Sequence, residues 1–309
     1  MIISVSRRTD IPAWYSDWFF ARLRAGFADV RNPYRPRQIS RIVLTPDLLD
    51  GMVFWSKNPL PMMERLHELQ DMAYYFQFTL TPYGRDIEPF LPSKREVLLP
   101  AFQRLSSLAG KGRVVWRYDP ILLTERYTPD YHRHAFRAMA EGLEGHTDEC
   151  IVSLVDDYAC IRRRMQQLGA VSPTGAQADD LLKYFAETAR QHGMKLSACC
   201  EAARPPGVSQ ARCIDPDRLS IIAGVRLPVP PDKNQREGCG CAQSVDIGSY
   251  DTCRSGCAYC YANHGHKRLE ELCAQYDPGS SMLCGCLSES DVITLRPGKR
   301  YADALVSLP

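Results

Sequence analysis

Val114-Val115-Trp116-Arg117-Tyr118-Asp119-Pro120-Ile121 is the stretch on which the reading of this fold turns. The run Val114–Tyr118 is short and mostly apolar, as a buried strand requires, and it ends in the polar group Arg117-Tyr118-Asp119-Pro120. Thr128 can then cap a helix that places Tyr131, Phe136, Met139 and Leu143 on one face. Working outward, the same unit recurs. Ile2–Ser6 precedes a helix capped by Asp10, with Ile11, Trp14, Tyr15, Trp18, Phe19 and Leu23 on one face. Met52–Trp55 precedes Met62, Met63, Leu66 and Leu69, and Tyr74–Leu80 precedes Val97, Leu98, Phe102, Leu105 and Leu108. Ile151–Val155 leads into helical material through about Gln191, and Lys195–Cys200 into a helix capped by Asp215 with Leu219, Ile221 and Ile222. Asp29–Leu44, with Asn32-Pro33 and Arg35-Pro36, reads as a small hairpin excursion.

Six strands alternating with helices imply a parallel sheet with right-handed crossovers. The expected fold is α/β, a partial (β/α)6 TIM-type barrel over residues 1–227; a complete eight-stranded barrel is the alternative. From about Pro228 the composition turns to Pro, Gly, Cys and polar residues. Residues 228–309 are therefore expected to be a cysteine-rich segment packed on the barrel as part of one structural unit.

The chain has 309 residues, is 45% hydrophobic and carries a formal net charge of +2, enough for a sizeable core and without a strong pull toward nucleic acid or membrane. The start of the chain turns charged too soon for a signal peptide, and no apolar run reaches transmembrane length. None of the 13 cysteines precedes Cys150, and eight fall between Cys239 and Cys286. In a long α/β chain this distribution favours metal ligation in a reducing, cytoplasmic setting over a disulfide scaffold. Cys150 and Cys160 flank a strand and read as buried small apolar residues.

Strand ends carry the chemistry of a barrel. Here they are Arg7-Arg8-Thr9-Asp10, Ser56-Lys57-Asn58-Pro59, Thr79-Leu80-Thr81-Pro82, Arg117-Tyr118-Asp119-Pro120, Asp156-Asp157-Tyr158 and Cys199-Cys200-Glu201. Arg7 and Arg8 are candidate substrate residues, since guanidinium forks suit a phosphate or carboxylate; alternatively one of them pairs with Asp10 or a neighbouring carboxylate. Cys253, Cys257 and Cys260 stand in a C-x3-C-x2-C array with Tyr259 just before the last thiol. Three thiolates at this spacing can hold three irons of a [4Fe–4S] cluster and leave the fourth iron open. The rival is zinc, with His264 or His266 as fourth ligand.

The array resembles that of the radical S-adenosylmethionine (SAM) superfamily. Phe54-Trp55-Ser56-Lys57 and Trp116-Arg117-Tyr118-Asp119-Pro120-Ile121 are similar to runs in its spore photoproduct lyase branch. The resemblance implies a [4Fe–4S] cluster on Cys253, Cys257 and Cys260 that reductively cleaves SAM to a 5′-deoxyadenosyl radical, which abstracts hydrogen from substrate. It further implies Tyr259 beside the adenine, Lys57 on the SAM carboxylate with Ser56 and Asn58 in the same loop, and Arg117 and Asp119 lining the mouth. Glu201 is a candidate for the SAM ribose, or a partner of Arg204. The Gly-Gly-Glu element that usually binds the SAM amino group is missing. Nearly end to end, the chain also resembles an uncharacterised bacterial family known only as a domain of unknown function. That likeness is carried by Ser6–Pro12, Val53–Pro59 and the stretch from Asn234-Gln235-Arg236 to Cys260-Tyr261-Ala262-Asn263.

Cys199, Cys213, Cys239 and Cys241, with Cys200 able to replace Cys199, could close an auxiliary [4Fe–4S] cluster or a zinc site. The expected partners are a small-molecule substrate rather than nucleic acid and an electron donor such as flavodoxin or ferredoxin. Two other functions fit less of the sequence: a non-catalytic zinc or Fe–S module that binds a partner or nucleic acid, and a DNA-lesion repair lyase, against which the near-neutral charge argues. One geometric expectation follows from the late position of the array. The tail should fold back so that Cys253, Cys257 and Cys260 lie near Lys57 and the ends of the first two core strands.

Overall fold

The computed structural model describes residues 1–201, 204–236 and 238–302. Among the described residues there are eleven strands: β1 (Ile2–Val5), β2 (Phe27–Arg31), β3 (Gln38–Val43), β4 (Gly51–Ser56), β5 (Tyr74–Thr79), β6 (Val114–Ile121), β7 (Glu149–Leu154), β8 (Lys195–Ala198), β9 (Val208–Gln210), β10 (Val245–Asp246) and β11 (Val292–Leu295). All six expected core strands are present. They lie side by side in chain order in one eight-stranded parallel sheet, β10-β1-β4-β5-β6-β7-β8-β9. The edge strands β10 and β9 do not pair with each other, so among the described residues the sheet does not close. The excursion after the first unit is a hairpin of β2 and β3, and β11 pairs in parallel with β3 to make a second, three-stranded sheet.

Alternation along the strands sorts the side chains onto two faces. On one face Phe54, Phe76, Phe78, Trp116 and Tyr118 pack against the helices, with Phe136 and Phe185 stacked at 3.9 Å between ring centroids. Each fully buried large apolar side chain contributes on the order of 1.5–3 kcal/mol relative to exposure. On the other face Ile2, Val53, Tyr75, Val115 and Ile151 form a smaller cluster with Ala211, Ile214, Leu219, Leu227 and Cys241. Two residues further along each strand the same face changes character, to Ser4, Trp55, Gln77, Arg117 and Ser153. The inner face is therefore apolar toward the start of the strands and polar toward their C-terminal ends. That gradient sets where a polar cavity can open.

Some expected elements differ in detail. The first helix is broken at Tyr15 into Ile11–Trp14 and Ser16–Ala25, because Tyr15 leaves helical geometry to bury its ring and donate its hydroxyl to the Thr252 carbonyl at 2.5 Å. Met62, Met63, Leu66 and Leu69 are buried as expected, but in two single-turn pieces, Leu60–Met63 and Leu66–Leu69. Leu108 and Ile221 are exposed, since they sit on the outward sides of helices anchored by Phe102, Leu105 and Leu219. Cys150 is buried, whereas Cys160 is exposed in a turn beyond the strand end. Thr128 and Asp215 cap their helices through Tyr131 N and Asp217 N. Among the described residues no helix is long and apolar enough to cross a membrane.

Candidate active site

The cysteine array is held on a loop pinned from several sides. Asp246, in β10, accepts hydrogen bonds from Ser4 Oγ (2.8 Å), Ser6 Oγ (2.6 Å) and the amides of Arg7 (2.8 Å) and Gly248 (2.9 Å), which fixes the approach to the loop against the end of β1. Trp14 Nε1 donates to Ser255 Oγ at 3.2 Å, and Ala258 N to the Ile87 carbonyl at 2.9 Å. Asn263 Nδ2 donates to the Cys253 carbonyl (2.7 Å), and Arg164 Nη2 to the Cys260 carbonyl (2.8 Å). Between the first two thiols Gly256 takes φ +69°, the left-handed region, and a Cβ there would stand 2.6 Å from the Phe90 ring. Phe90 is exposed and can swing aside, so the backbone dominates the cost. G256A should lose about 1–2 kcal/mol of loop stability, read as a lower thermal midpoint and weaker metal retention.

Lys57, at the end of β4, meets this loop directly. Its Nζ donates to Tyr259 Oη at 2.6 Å and to Glu88 Oε1 at 2.8 Å. Tyr259 Oη in turn donates to Glu88, Lys94 pairs with the other carboxylate oxygen, and Thr81 Oγ1 donates to Glu88 at 2.9 Å. Burial alone would raise the Glu88 carboxyl, but Lys57 and Lys94 outweigh it and hold it at about 2. Burial raises Asp10 to about 6 even though it accepts from the amides of Lys57 (2.7 Å) and Ala13 (3.0 Å). Burial also raises all three thiols, Cys253 to about 11, with Lys57 partly opposing the effect at Cys257. Metal would have to displace their protons.

A second group of thiols lies at the end of β8. Cys213 Sγ is 3.5 Å from Cys199 Sγ, which is 3.8 Å from Cys200 Sγ. Cys239 and Cys241 line the same cavity wall, and the Ile214 amide donates to Cys241 Sγ at 3.4 Å. Arg117 Nη1 donates to Cys213 Sγ at 3.0 Å while its other arm pairs with Asp119, which also accepts from Ser153 Oγ. Hydrogen bonding with the neighbouring thiols, Cys199 first, and the Arg117 guanidinium lower Cys213 well below the usual thiol range.

Both thiol groups open on one cavity of about 1300 Å³. Its lining includes Arg7, Arg8, Ser56, Lys57, Arg117, Asp119, Cys199, Cys200, Cys213, Cys239, Cys241, Cys253, Cys257, Tyr259 and Cys260. The expected return of the tail over the ends of the first two core strands is thus what the geometry shows. Trp55 stands between two cations, with the Arg7 guanidinium 5.6 Å and that of Arg117 5.0 Å from its ring. Arg7 donates one side-chain hydrogen bond, to Ser244 Oγ at 3.2 Å, and its buried Nε has no partner. Arg8 lies over Tyr250 at 5.1 Å and pairs at 4.0 Å with Asp246, a neighbouring carboxylate, as the alternative reading expected of one arginine.

Two expected cofactor residues are not brought to the cavity. Neither lines it: the Asn58 backbone N–H donates to Ser56 Oγ (3.0 Å), and Glu201 accepts from the Leu154 amide (3.2 Å) while its own carbonyl takes Arg204. Neither histidine proposed for zinc lines it: His264 Nδ1 turns to Asp251 (3.2 Å), and His266 is exposed beside Glu270. Among the described residues no three His, Cys, Asp or Glu side chains are set around a single-ion position. Glu88, Lys94, Asp246 and Trp55 are the site residues that sequence reasoning did not single out. Compared with known proteins, residues 2–262 match the family model of a domain of unknown function (DUF1848). No curated protein matches the chain.

Proposed function

For this chain, which belongs to the DUF1848 family, we propose a radical SAM enzyme on an open, partial (β/α) barrel, with residues 1–227 as the barrel and the cysteine-rich tail as its cover. The observation that carries the reading is the meeting of the C-x3-C-x2-C loop with Lys57 at the strand ends, Tyr259 Oη lying 2.6 Å from Lys57 Nζ. The unclosed sheet with its core strands in chain order supports the barrel part of the reading.

Cys253, Cys257 and Cys260 would hold a [4Fe–4S] cluster, and their donor chemistry fits. Three thiols face the cavity, Cys257 buried and Cys253 and Cys260 half-buried, and the two nearby histidines do not, which would leave a fourth iron without a protein ligand. When bound, such a cluster supplies the electron that splits SAM into methionine and a 5′-deoxyadenosyl radical, which removes hydrogen from a substrate. Lys57 has three N–H donors, of which Glu88 and Tyr259 take two. The third is free to hold a carboxylate in the cavity. Glu88 keeps Lys57 charged and aimed, and Lys94 balances the buried carboxylate. Tyr259 bridges the cysteine loop to that pair, so loop and lysine are positioned together. In the same cavity Arg7, whose buried Nε has no partner, and Arg8 would take an anionic group of the substrate.

Anaerobically reconstituted, reduced protein is expected to release 5′-deoxyadenosine from SAM. An intact, reduced cluster that produces none would end this reading.

A further inference from the structure

We propose that Cys199 and Cys213 form a redox-active dithiol on the cavity wall, which reacts with small hydroperoxides and closes to a disulfide. Their Sγ atoms stand 3.5 Å apart. The bonded separation is about 2.05 Å, so side-chain rotations that bring the sulfurs about 1.5 Å closer would join them. The backbone on both sides is already fixed. Cys199 follows β8, and its amide donates to the Val152 carbonyl at 2.8 Å. The Cys213 carbonyl accepts from Tyr75 Oη (2.7 Å) and Gln77 Nε2 (3.0 Å), both buried on the sheet. Ala211 N donates to the Ala198 carbonyl at 2.9 Å and ties the two loops together. Through these bonds the sheet brings the two thiols face to face.

Three features make this a reactive pair rather than packing. The first is charge. Arg117 Nη1 donates to Cys213 Sγ at 3.0 Å, and a cation in contact favours the thiolate, the form that attacks. The second is access. Both residues line the cavity, Cys199 half-buried and Cys213 3% exposed, so the opening at Cys213 admits a small oxidant and excludes a protein. Cys150, a packing thiol, is buried and does not line it. The third is spacing. Sulfurs this close do not fit a cubane, whose thiolates sit on separate irons, so the expected auxiliary cluster is not what these residues form. Among the described residues no three ligands surround a single-ion position either, which leaves the zinc alternative without support. Cys200 Sγ lies 3.8 Å from Cys199 Sγ, but it is the poorer partner. Adjacent residues have Cα atoms about 3.8 Å apart, short of the about 4.4 Å at which disulfides begin.

In the first step the Cys213 thiolate attacks the terminal oxygen of a hydroperoxide, R–O–O–H. The O–O bond breaks, the sulfur is oxidised to a sulfenic acid, and the alkoxide leaves and takes up a proton as R–OH. Cys199 then attacks the Cys213 sulfur. The S–S bond forms, the S–O bond breaks, and the thiol proton leaves with the hydroxide as water. Two electrons pass from the two thiols to the peroxide. A small dithiol reverses the change by exchange, becoming a disulfide itself as both cysteines regain their protons. Closure also withdraws the sulfur anion that Arg117 faces, leaving one guanidinium arm to the cavity while the other stays on Asp119. The proposal concerns Cys199 and Cys213 alone and does not rest on an iron cluster or on SAM cleavage.

The test is peptide mapping of reduced, full-length protein treated with equimolar hydrogen peroxide, with circular dichroism to confirm folding. Trypsin cuts after Lys195, Arg212 and Arg218 but not after Arg204, which precedes Pro205. The new bond would therefore join peptides 196–212 and 213–218 into one species two hydrogens lighter than their sum. That species is expected from wild type and from C253A/C257A/C260A, and a small dithiol should separate it. C200S should keep it. C199S should lose it and hold Cys213 as a sulfenic acid that a cyclic 1,3-diketone traps. Folded wild type without the joined peptides, or C199S that still yields them through Cys200, would overturn the proposal. Joined peptides together with a wild type that releases no 5′-deoxyadenosine would leave the dithiol standing and remove the radical reading. The two can therefore fail separately.

Discussion

C257A is expected to lower 5′-deoxyadenosine release by at least about a thousandfold, the scale on which losing an indispensable catalytic group acts, while the protein stays folded. Cys257 is the middle thiol of the array, 5% exposed, and the one on which Lys57 acts most directly. Removing it leaves Cys253 and Cys260, which could hold two irons of the proposed cubane at most. The loop itself should persist, because its anchors are elsewhere: Trp14 on Ser255, Asn263 on Cys253 O, Arg164 on Cys260 O and Ile87 O on the Ala258 amide. Unchanged far-ultraviolet dichroism with lost iron and lost product is the expected pattern. Turnover near the wild-type rate would show that this thiol does not serve the chemistry.

E88Q is expected to cost about 3–5 kcal/mol of stability, the penalty for breaking a buried ion pair and leaving its partner charge behind. Glu88 is almost fully buried and neutralises two lysines, 14% and 18% exposed at their side chains. Glutamine keeps the shape and one acceptor but removes the charge, so two ammonium groups would face each other without a counterion. A lower denaturant midpoint with an unchanged slope measures the loss. The sign with pH is fixed by the depressed carboxyl. Its folded value of about 2 lies below the ordinary 4.5, so its stabilisation is complete above about 4.5 and is lost as pH falls toward 2. The wild-type advantage over E88Q should shrink across that window. If the two proteins have equal midpoints at pH 7, Glu88 is not the keystone of this network.

The parallel sheet was legible because each core strand, such as Val114–Tyr118, is a short apolar run followed by turn chemistry. Its inward residues also turn polar at the end where the chain leaves the sheet. The edge strands β9 and β10 were not legible, since three and two residues are too few to show a period. The broken first helix was hidden for another reason: Tyr15 satisfies the helical pattern locally, and only its bond to Thr252, far along the chain, draws it out. Cysteine spacing marked one thiol group, and proximity in sequence marked four members of the other. Glu88 left no trace, because a lone glutamate in a loop looks solvent-facing until Lys57, Lys94, Thr81 and Tyr259 are seen to converge on it. Asn58 and Glu201 fail for the converse reason. Adjacency to a site residue along the chain says nothing about which way a side chain turns at a strand end.

The return of the tail over the strand ends also has a consequence for how the protein is made. Chains fold largely from the N-terminus during synthesis, and Cys253 emerges only after all six core strands. A ribosome-bound chain could complete the six core strands and the helices between them while the mouth stands uncovered. Under the proposed function, metal loading would then be the closing event of biogenesis, and a chain stalled before residue 250 would lack all three thiols of the array.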